Sequence, residues 1–220
     1  MTDNIIDTTN INEKVYKFIK QNIINLEYPS GHKLSLNEIS KMLGVSNTPI
    51  KEALFKLSGE GLVEITSRMG IYVKNINQVD IHEILQIRLF LESAVVAEIA
   101  PGISNENLQY IRDIYAKSIA LSVNPSDIES YKVFMEYDGE FHLSFFRILA
   151  NERLLNIYKN LNAHMQIVRF RLMNRSKGKF PKTDEGHMLI LDALCQHDAM
   201  KAREAVSRHL IQIHDACILE

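Results

Sequence analysis

Four side chains that can bind a metal ion occupy positions where a helical pattern calls for apolar residues. Asp138 and His142 share the apolar stripe of one predicted helix, while His187 and His209 lie on the stripes of two later ones. A lone histidine at such a position is usually a core residue whose ring nitrogens are hydrogen-bonded. A lone buried carboxylate is costly without a partner. The carboxylate therefore favours a shared site over four separate core positions.

The spacing of these residues predicts that they converge. His187 lies eleven residues before Asp198, and His209 lies eleven residues after it. If two antiparallel helices turn at Asp198, these equal distances place both rings at the same height. Asp138 and His142, one helical turn apart, present a second pair from a third helix. Three imidazoles and one carboxylate predict a divalent metal site inside a helical bundle, suited to zinc, nickel, copper or iron, with positions left open for a ligand. Of these ions we expect zinc or nickel.

An arginine on an inward stripe is a further candidate for binding. Arg88 lies between Leu85 and Leu91, where a guanidinium needs an anionic partner. One interpretation is an ion pair with Glu92, one turn along the same helix. The other is a clamp for the carboxylate of a small effector, since arginine binds carboxylates through two parallel hydrogen bonds. Arg169, at the edge of the apolar face of its own helix, is a second candidate for effector binding.

The elements that must position these residues are helices. Apolar periodicity and capping residues after residue 79 predict six helices with short connections, and hence an antiparallel bundle, at 80–100, 105–121, 126–150, 151–173, 183–196 and 199–218. A basic, glycine-containing loop is expected at 176–180. Two isolated cysteines, Cys195 and Cys217, have no metal-type spacing and are expected to be reduced core residues of a cytoplasmic protein.

The N-terminal third predicts a winged helix-turn-helix. A helix at 11–26 is followed by short helices on either side of Gly44, the second with inward apolar residues and with Asn47, Thr48 and Lys51 on its outer face. Two strands, 62–66 and 71–73, are predicted to form a hairpin, and the turn between them carries Arg68. Asparagine can pair with adenine and lysine with guanine in the major groove, and Arg68 would reach phosphate or the minor groove. Residues 1–10 are expected to be a disordered tail, and 75–79 a linker.

Residues 11–74 resemble the DNA-binding domain of the GntR family of bacterial transcription regulators. The resemblance rests on Tyr28-Pro29-Ser30-Gly31, Gly44-Val45-Ser46, Thr48-Pro49, Glu52-Ala53-Leu54, Glu60-Gly61-Leu62-Val63, and Arg68 with Gly70. It adds Asn37, Ser46 and Gly70 to the candidate DNA-binding residues. The family usually carries arginines where this chain has Asn47 and Lys51, so the operator sequence of the family is not implied.

Residues 80–218 resemble the helical ligand-binding domain, of the FCD type, found in the FadR-like branch of that family. The matching pieces are Arg88-Leu89-Phe90-Leu91-Glu92, Asp138 with Phe141-His142, Ala150-Asn151, Glu185 with His187, and Asp198 through His209-Leu210. The resemblance implies that Asp138 and the three histidines hold a divalent cation and that a small organic or sugar acid reaches it. It also implies a homodimer on a palindromic duplex, most often a repressor that its effector releases.

Composition sets bounds on these hypotheses. The chain has 220 residues, 46% of them hydrophobic and 24% charged, as in ordinary globular proteins. No apolar run approaches the roughly 18 residues of a membrane span. The first 74 residues carry nine Lys/Arg and eight Asp/Glu, so non-specific attraction to phosphate is expected to be weak. A dimer that engages two half-sites can tolerate this balance.

Three functions are compatible with the pattern. The first is a transcription regulator that senses a small carboxylate at a metal site. In the second, the metal ion itself is the effector. The third, a metal-dependent enzyme, is disfavoured because the sequence offers no separate general base, nucleophile elbow or glycine-rich phosphate loop.

Overall fold

The computed structural model of the protein describes residues 8–67, 69–121, 128–176 and 184–218. Only the backbone is described at 8–10, 121, 128–129, 169–176, 184 and 216–218. The chain divides into two compact units, Met1–Ile76 and Asn77–Glu220.

The first unit is a winged helix-turn-helix, as predicted. Its elements in chain order are α1 (Thr8–Ile24), α2 (Leu36–Leu43), α3 (Asn47–Gly59), β1 (Val63–Thr66) and β2 (Gly70–Val73). Helix α1 begins three residues inside the segment expected to be a disordered tail, whose first seven residues lie outside the described part of the chain. The predicted end of this helix was two residues too late.

The turn between α2 and α3 depends on Gly44. Its φ of +65° is a left-handed conformation that glycine reaches at little cost, and its N–H donates to the Ser40 carbonyl at the end of α2. The Ser40 hydroxyl donates to the Val45 carbonyl at 2.6 Å and fixes the next residue of the turn. Ser46 stands at the N-cap of α3, and its side chain makes no capping hydrogen bond.

Helix α3 is anchored by one apolar face. Ile50, Ala53, Leu54 and Leu57 are buried at the predicted spacing and pack towards α1. Beside them, the Tyr16 hydroxyl donates to Glu60 at 2.6 Å, and Lys20 donates to the same carboxylate. These contacts tie the end of α3 to α1 and leave the opposite face of α3 open.

The wing is a two-stranded antiparallel sheet with a third segment at its edge. Strands β1 and β2 pair from Val63 opposite Val73 to Thr66 opposite Gly70. Lys33 forms an additional bridge to Tyr72, so the segment before α2 extends the sheet, which sequence patterning missed because the pairing is too short to show alternation. Arg68 lies outside the described residues.

The second unit consists of helices throughout its described part. They are α4 (Gln78–Ile99), α5 (Asn105–Leu121), α6 (Ile128–Leu149), α7 (Glu152–Ser176), α8 (Asp184–Cys195) and α9 (Ala199–Ile218), with a short 3₁₀ turn at Ala100–Gly102. Helix α4 begins two residues earlier than predicted, because Asn77 and Asp80 form a capping box across its first turn. The start of α4 thus lies inside the segment 75–79 that was expected to be a linker. The predicted loop at 176–180 lies beyond the end of α7, outside the described residues except for Ser176.

The bundle packs α4 against α9, α5 against α6, and α8 against α9, around fully buried aromatic residues of α6 and α7. None of the described helices is long and apolar enough to cross a membrane. The packing therefore brings the inner faces of α4, α6, α7, α8 and α9 together within one unit.

Two substitutions in α3 test which face of this helix is buried. Leu54→Ala removes a side chain with 0% exposure and should lower the free energy of unfolding by about 2–5 kcal/mol. Its neighbour Phe55 is 65% exposed, so Phe55→Ala should change the same quantity by no more than about 0.5 kcal/mol. Urea unfolding measured by circular dichroism would compare the two, and equal losses would show that the inner face of α3 is misassigned.

Candidate metal centre and DNA-binding face

A tight hairpin brings the two later histidines together. Asp198 accepts hydrogen bonds from the backbone N–H groups of Met200 and Lys201, at 3.1 and 3.0 Å, and so caps α9. These backbone hydrogen bonds also lower the pKa of Asp198. Across the hairpin the ring centroids of His187 and His209 lie 4.6 Å apart, as the equal spacing from Asp198 predicted.

A glycine makes that approach possible. A Cβ atom added at Gly186 would collide with His209 Nδ1 and lie only 3.1 Å from its Cγ. Helix α9 therefore seats the His209 ring directly against the backbone of α8. Sequence reasoning did not single out Gly186, although a glycine inside an apolar helical pattern is a signal of close packing.

Helix α6 contributes the third histidine. His142 Nε2 lies 3.3 Å from His187 Nε2, and the His142 ring stacks on His209 with centroids 5.2 Å apart. One nitrogen from each of His142, His187 and His209 can be chosen so that all lie within 4.8 Å of one another. The three residues are 0%, 1% and 2% exposed, respectively. The three predicted histidines thus form one buried cluster.

Asp138 lies at the edge of this cluster. Its Oδ1 is 3.6 Å from His187 Nε2, and its side chain is buried. It is not a member of the set of ligand atoms that lie within 4.8 Å of one another. The spacing correctly placed Asp138 beside His187, but the four predicted ligands do not form one equally close set.

A buried glutamate joins the cluster to two other helices. Glu92 is 0% exposed, and its Oε2 lies 2.7 Å from His142 Nδ1. Its Oε1 accepts hydrogen bonds from Arg88 Nε at 2.6 Å and from the Tyr158 hydroxyl at 2.7 Å. The sequence indicated Glu92 only as a partner of Arg88. Its contacts with α6 and α7 required the three-dimensional packing.

Arg88 shows features of both interpretations given to it. The ion pair with Glu92 forms, yet Arg88 Nη2 is buried and, across the described residues, makes no hydrogen bond. Burial alone would lower the pKa of this guanidinium, but the charge and hydrogen bond of Glu92 together with the nearby Tyr158 and Asp138 outweigh burial and raise it. In contrast, burial raises the pKa of Tyr158, which remains a protonated donor. The side chain of Arg169 lies outside the described residues.

The candidate DNA-binding residues lie on the surface of the winged unit. Those whose side chains are exposed are Asn37, Ser46, Asn47, Thr48 and Lys51, and Gly70 is half-buried in the wing. Asn47, Thr48 and Lys51 project from the first two turns of α3, opposite its buried face. The geometry leaves this surface accessible, as base readout by a recognition helix requires.

The buried cluster fits a divalent transition metal. Imidazole nitrogens with a neighbouring carboxylate are a donor set suited to zinc, nickel, copper or iron. Three close nitrogens leave coordination positions for water or for an oxygen of a ligand. The residues present therefore match the group that the sequence predicted.

Comparison with known proteins identifies the family. The model of the bacterial regulatory proteins of the gntR family matches residues 11–73, and the model of the FCD domain matches residues 83–212, more than half of the chain. The chain therefore belongs to the GntR family and carries an FCD domain. It is a DNA-binding transcription regulator, and members of this family are regulators rather than enzymes.

Relatives of known description are similar along almost the whole chain. The HTH-type transcriptional repressor RspR of Escherichia coli strain K12 is 26% identical over 210 residues, covering 95% of this chain and 90% of that protein. A protein of Paenarthrobacter nicotinovorans, described as a probable D-xylose utilization operon transcriptional repressor, is 26% identical over 209 residues, with 95% and 89% covered.

The fold is also similar to that of a solved regulator. E. coli McbR/YncC superposes with a TM-score of 0.79 at 19% sequence identity, covering 95% of this chain and 97% of that one. At this identity the likeness bears on the fold alone, and it supports the arrangement of a winged helix-turn-helix followed by a helical domain.

The contact at Gly186 yields a prediction for the helical unit. Gly186→Ala should displace the His209 ring, lower the free energy of unfolding by about 1–3 kcal/mol and reduce zinc retained after dialysis. Gly102→Ala is the matched control, because a Cβ there meets nothing within 4 Å. Urea unfolding in chelator and elemental analysis after zinc loading would measure both effects. Full zinc retention by the Gly186 variant would contradict the role given to this close contact.

Proposed function

We propose that this regulator binds a palindromic operator as a homodimer, and that its helical domain holds a divalent metal ion together with a small carboxylate effector. The observation that carries the proposal is the juxtaposition in one unit of three buried histidine nitrogens within 4.8 Å of one another and a buried arginine whose Nη2 makes no hydrogen bond to any described residue. The Arg88 nitrogen does not help a core that serves packing alone, since a buried polar atom without a hydrogen bond costs stability.

His142, His187 and His209 would hold the ion, and Asp138 lies close enough to His187 to join them after a small movement. When bound, the ion supplies a Lewis acid that attracts a carboxylate oxygen of the effector. Imidazole nitrogens suit several transition metals, and we propose zinc or nickel for this set.

Arg88 would bind the effector through the side of its guanidinium that carries Nη2. Its Nε is held by Glu92, while Nη2, which makes no hydrogen bond to a described residue, would donate to an incoming carboxylate. Arg88 would then pair with two anions, the Glu92 carboxylate and the exchangeable carboxylate of the effector. If the effector binds one conformation of the bundle more tightly, the difference in its binding free energy sets the largest change that it can cause in operator affinity.

The outer face of α3 would read the operator. Asn47 and Lys51 can hydrogen-bond adenine and guanine edges, while Thr48 can contact either base. Asn37, Ser46, Arg68 and Gly70 would support them by contacts with the backbone or minor groove. Repression released by effector is the mode we propose, in line with the two relatives described as repressors.

Selection of bound duplexes from a random DNA library, with zinc-loaded protein and with chelator, tests operator binding and its dependence on the metal ion. A short palindrome enriched with zinc-loaded protein is the expected result. Loss of enrichment in chelator without any organic acid would instead indicate that the cation is the effector. The absence of an enriched sequence in both arms would refute the regulator mechanism proposed here.

Two substitutions should separate the DNA-binding site from the metal site. Lys51→Ala should weaken operator binding by about 1–3 kcal/mol and leave zinc stoichiometry unchanged, because Lys51 lies on the exposed face of α3. His187→Ala should abolish zinc binding in both the presence and absence of operator. Fluorescence anisotropy on the selected operator and elemental analysis provide the readouts. Unchanged zinc content in the His187 variant would show that the metal site is misassigned.

Arg88→Lys tests the effector clamp. Lysine keeps a positive charge for Glu92 but lacks the second donor edge of the guanidinium. We expect zinc and operator binding to persist, while release of operator by lactate, succinate or gluconate requires at least about tenfold more of the active acid. An unchanged dose response would mean that Arg88 serves only the ion pair with Glu92.

A further inference from the structure

We propose that Glu92 is a positioning residue that sets the tautomer of His142 and thereby controls metal affinity. This inference rests on the proposed metal site and adds a residue that does not itself touch the ion. It is based on the different contacts of the two Glu92 carboxylate oxygens. Oε2 faces His142, and Oε1 faces Arg88 and Tyr158.

The first step concerns His142. A carboxylate only accepts hydrogen bonds, so the 2.7 Å contact with Glu92 Oε2 makes His142 Nδ1 the protonated nitrogen. In a neutral ring the lone pair then resides on Nε2. That is the atom 3.3 Å from His187 Nε2, on the side of the histidine cluster. Glu92 therefore presents His142 in the form that can bind a metal ion.

The second step concerns the other oxygen. Arg88 has donors and no acceptor, and its Nε is 2.6 Å from Glu92 Oε1. The Tyr158 ring is held by stacking on Phe146, with centroids 4.1 Å apart, which aims its hydroxyl at the same oxygen. The carboxylate is thus fixed in one orientation by groups on α4 and α7.

These two steps predict an unusual effect of a nearly isosteric change. In Glu92→Gln, the amide oxygen must face Arg88, because the guanidinium has no atom that could accept from an NH₂ group. The amide NH₂ then faces His142 Nδ1 and donates to it. His142 is driven to the Nε2–H tautomer, whose proton occupies the position needed by the metal ion.

The tautomer is measured directly in metal-free protein. Side-chain ¹⁵N chemical shifts of His142, assigned by their loss in His142→Asn, should report Nδ1–H in the wild type and Nε2–H in Glu92→Gln. Zinc affinity, measured by competition with a chromogenic chelator, should fall by about 10–100-fold in the same variant.

Rescue distinguishes this role from a general loss of packing. In Arg88→Met/Glu92→Gln the amide is free to turn, its oxygen can accept from His142 Nδ1, and its NH₂ can donate to the Tyr158 hydroxyl. We expect the Nδ1–H tautomer to return and about tenfold of the zinc affinity to be recovered. Arg88→Lys/Glu92→Gln is the matched control, and it should not recover because lysine is also only a donor. The Met/Gln pair also leaves no uncompensated buried charge, so the test survives if Glu92→Gln alone fails to fold.

The outcomes separate this inference from the proposed function. If His187→Ala abolishes zinc binding but Glu92→Gln keeps both tautomer and affinity, the role of Glu92 is wrong and the metal site stands. If zinc binds equally well to the wild type and His187→Ala, the metal site itself is refuted. Equal recovery by the methionine and lysine double variants would also overturn the inference, since it would remove the dependence on Arg88.

Discussion

Charge compensation in the interior of the helical unit is the constraint on which the rest of its design depends. Glu92 and Arg88 are both nearly inaccessible to solvent, and either would be very costly alone. Their pairing neutralises two charges, and the buried Asp138 carboxylate lies close by, beside His187. The divalent cation that we propose among the imidazoles would add positive charge next to that carboxylate. The histidine cluster and the buried ion pair, which meet at Glu92, are therefore parts of one electrostatic arrangement.

The Glu92 carboxylate also connects three helices. It accepts from side chains on α4 and α7 and lies in hydrogen-bond contact with α6, so three helices meet at one group. Such a junction has few alternative arrangements, because each donor needs an acceptor in a dry interior. A ligand that changes the position of Arg88 must then change the environment of His142. This is a direct physical route by which carboxylate binding and metal binding would influence each other.

Periodicity was sufficient to predict the fold class and much of the cluster. Apolar spacing identifies which face of a helix is buried, and equal distances from Asp198 identify which residues share a height. Those two rules correctly predicted that His187 lies opposite His209 and that Arg88 is buried in the bundle. They do not specify which atom of a side chain faces which neighbour. The link from Glu92 to His142, fifty residues away, depends on the packing angle of α4 and α6.

Other differences have equally local causes. The bridge from Lys33 to Tyr72 involves a single residue pair, too short for any alternation to appear. The early start of α4 comes from reciprocal capping by Asn77 and Asp80, which overrides the polar composition of the segment. Asp138 is absent from the closest set of ligand atoms, which helical spacing could not reveal because it gives the face of a residue and not the position of its side-chain atoms.

The near-complete shielding of the three imidazoles has a consequence for timing. The ion that we propose for this site would enter or leave only when helices separate locally, so its exchange would be limited by opening of the bundle and not by diffusion. A regulator with such a site would retain its ion through many rounds of gene control. Changes in metal supply would then be registered by newly synthesised molecules, on the time scale of protein turnover, while existing molecules kept the ion with which they were made.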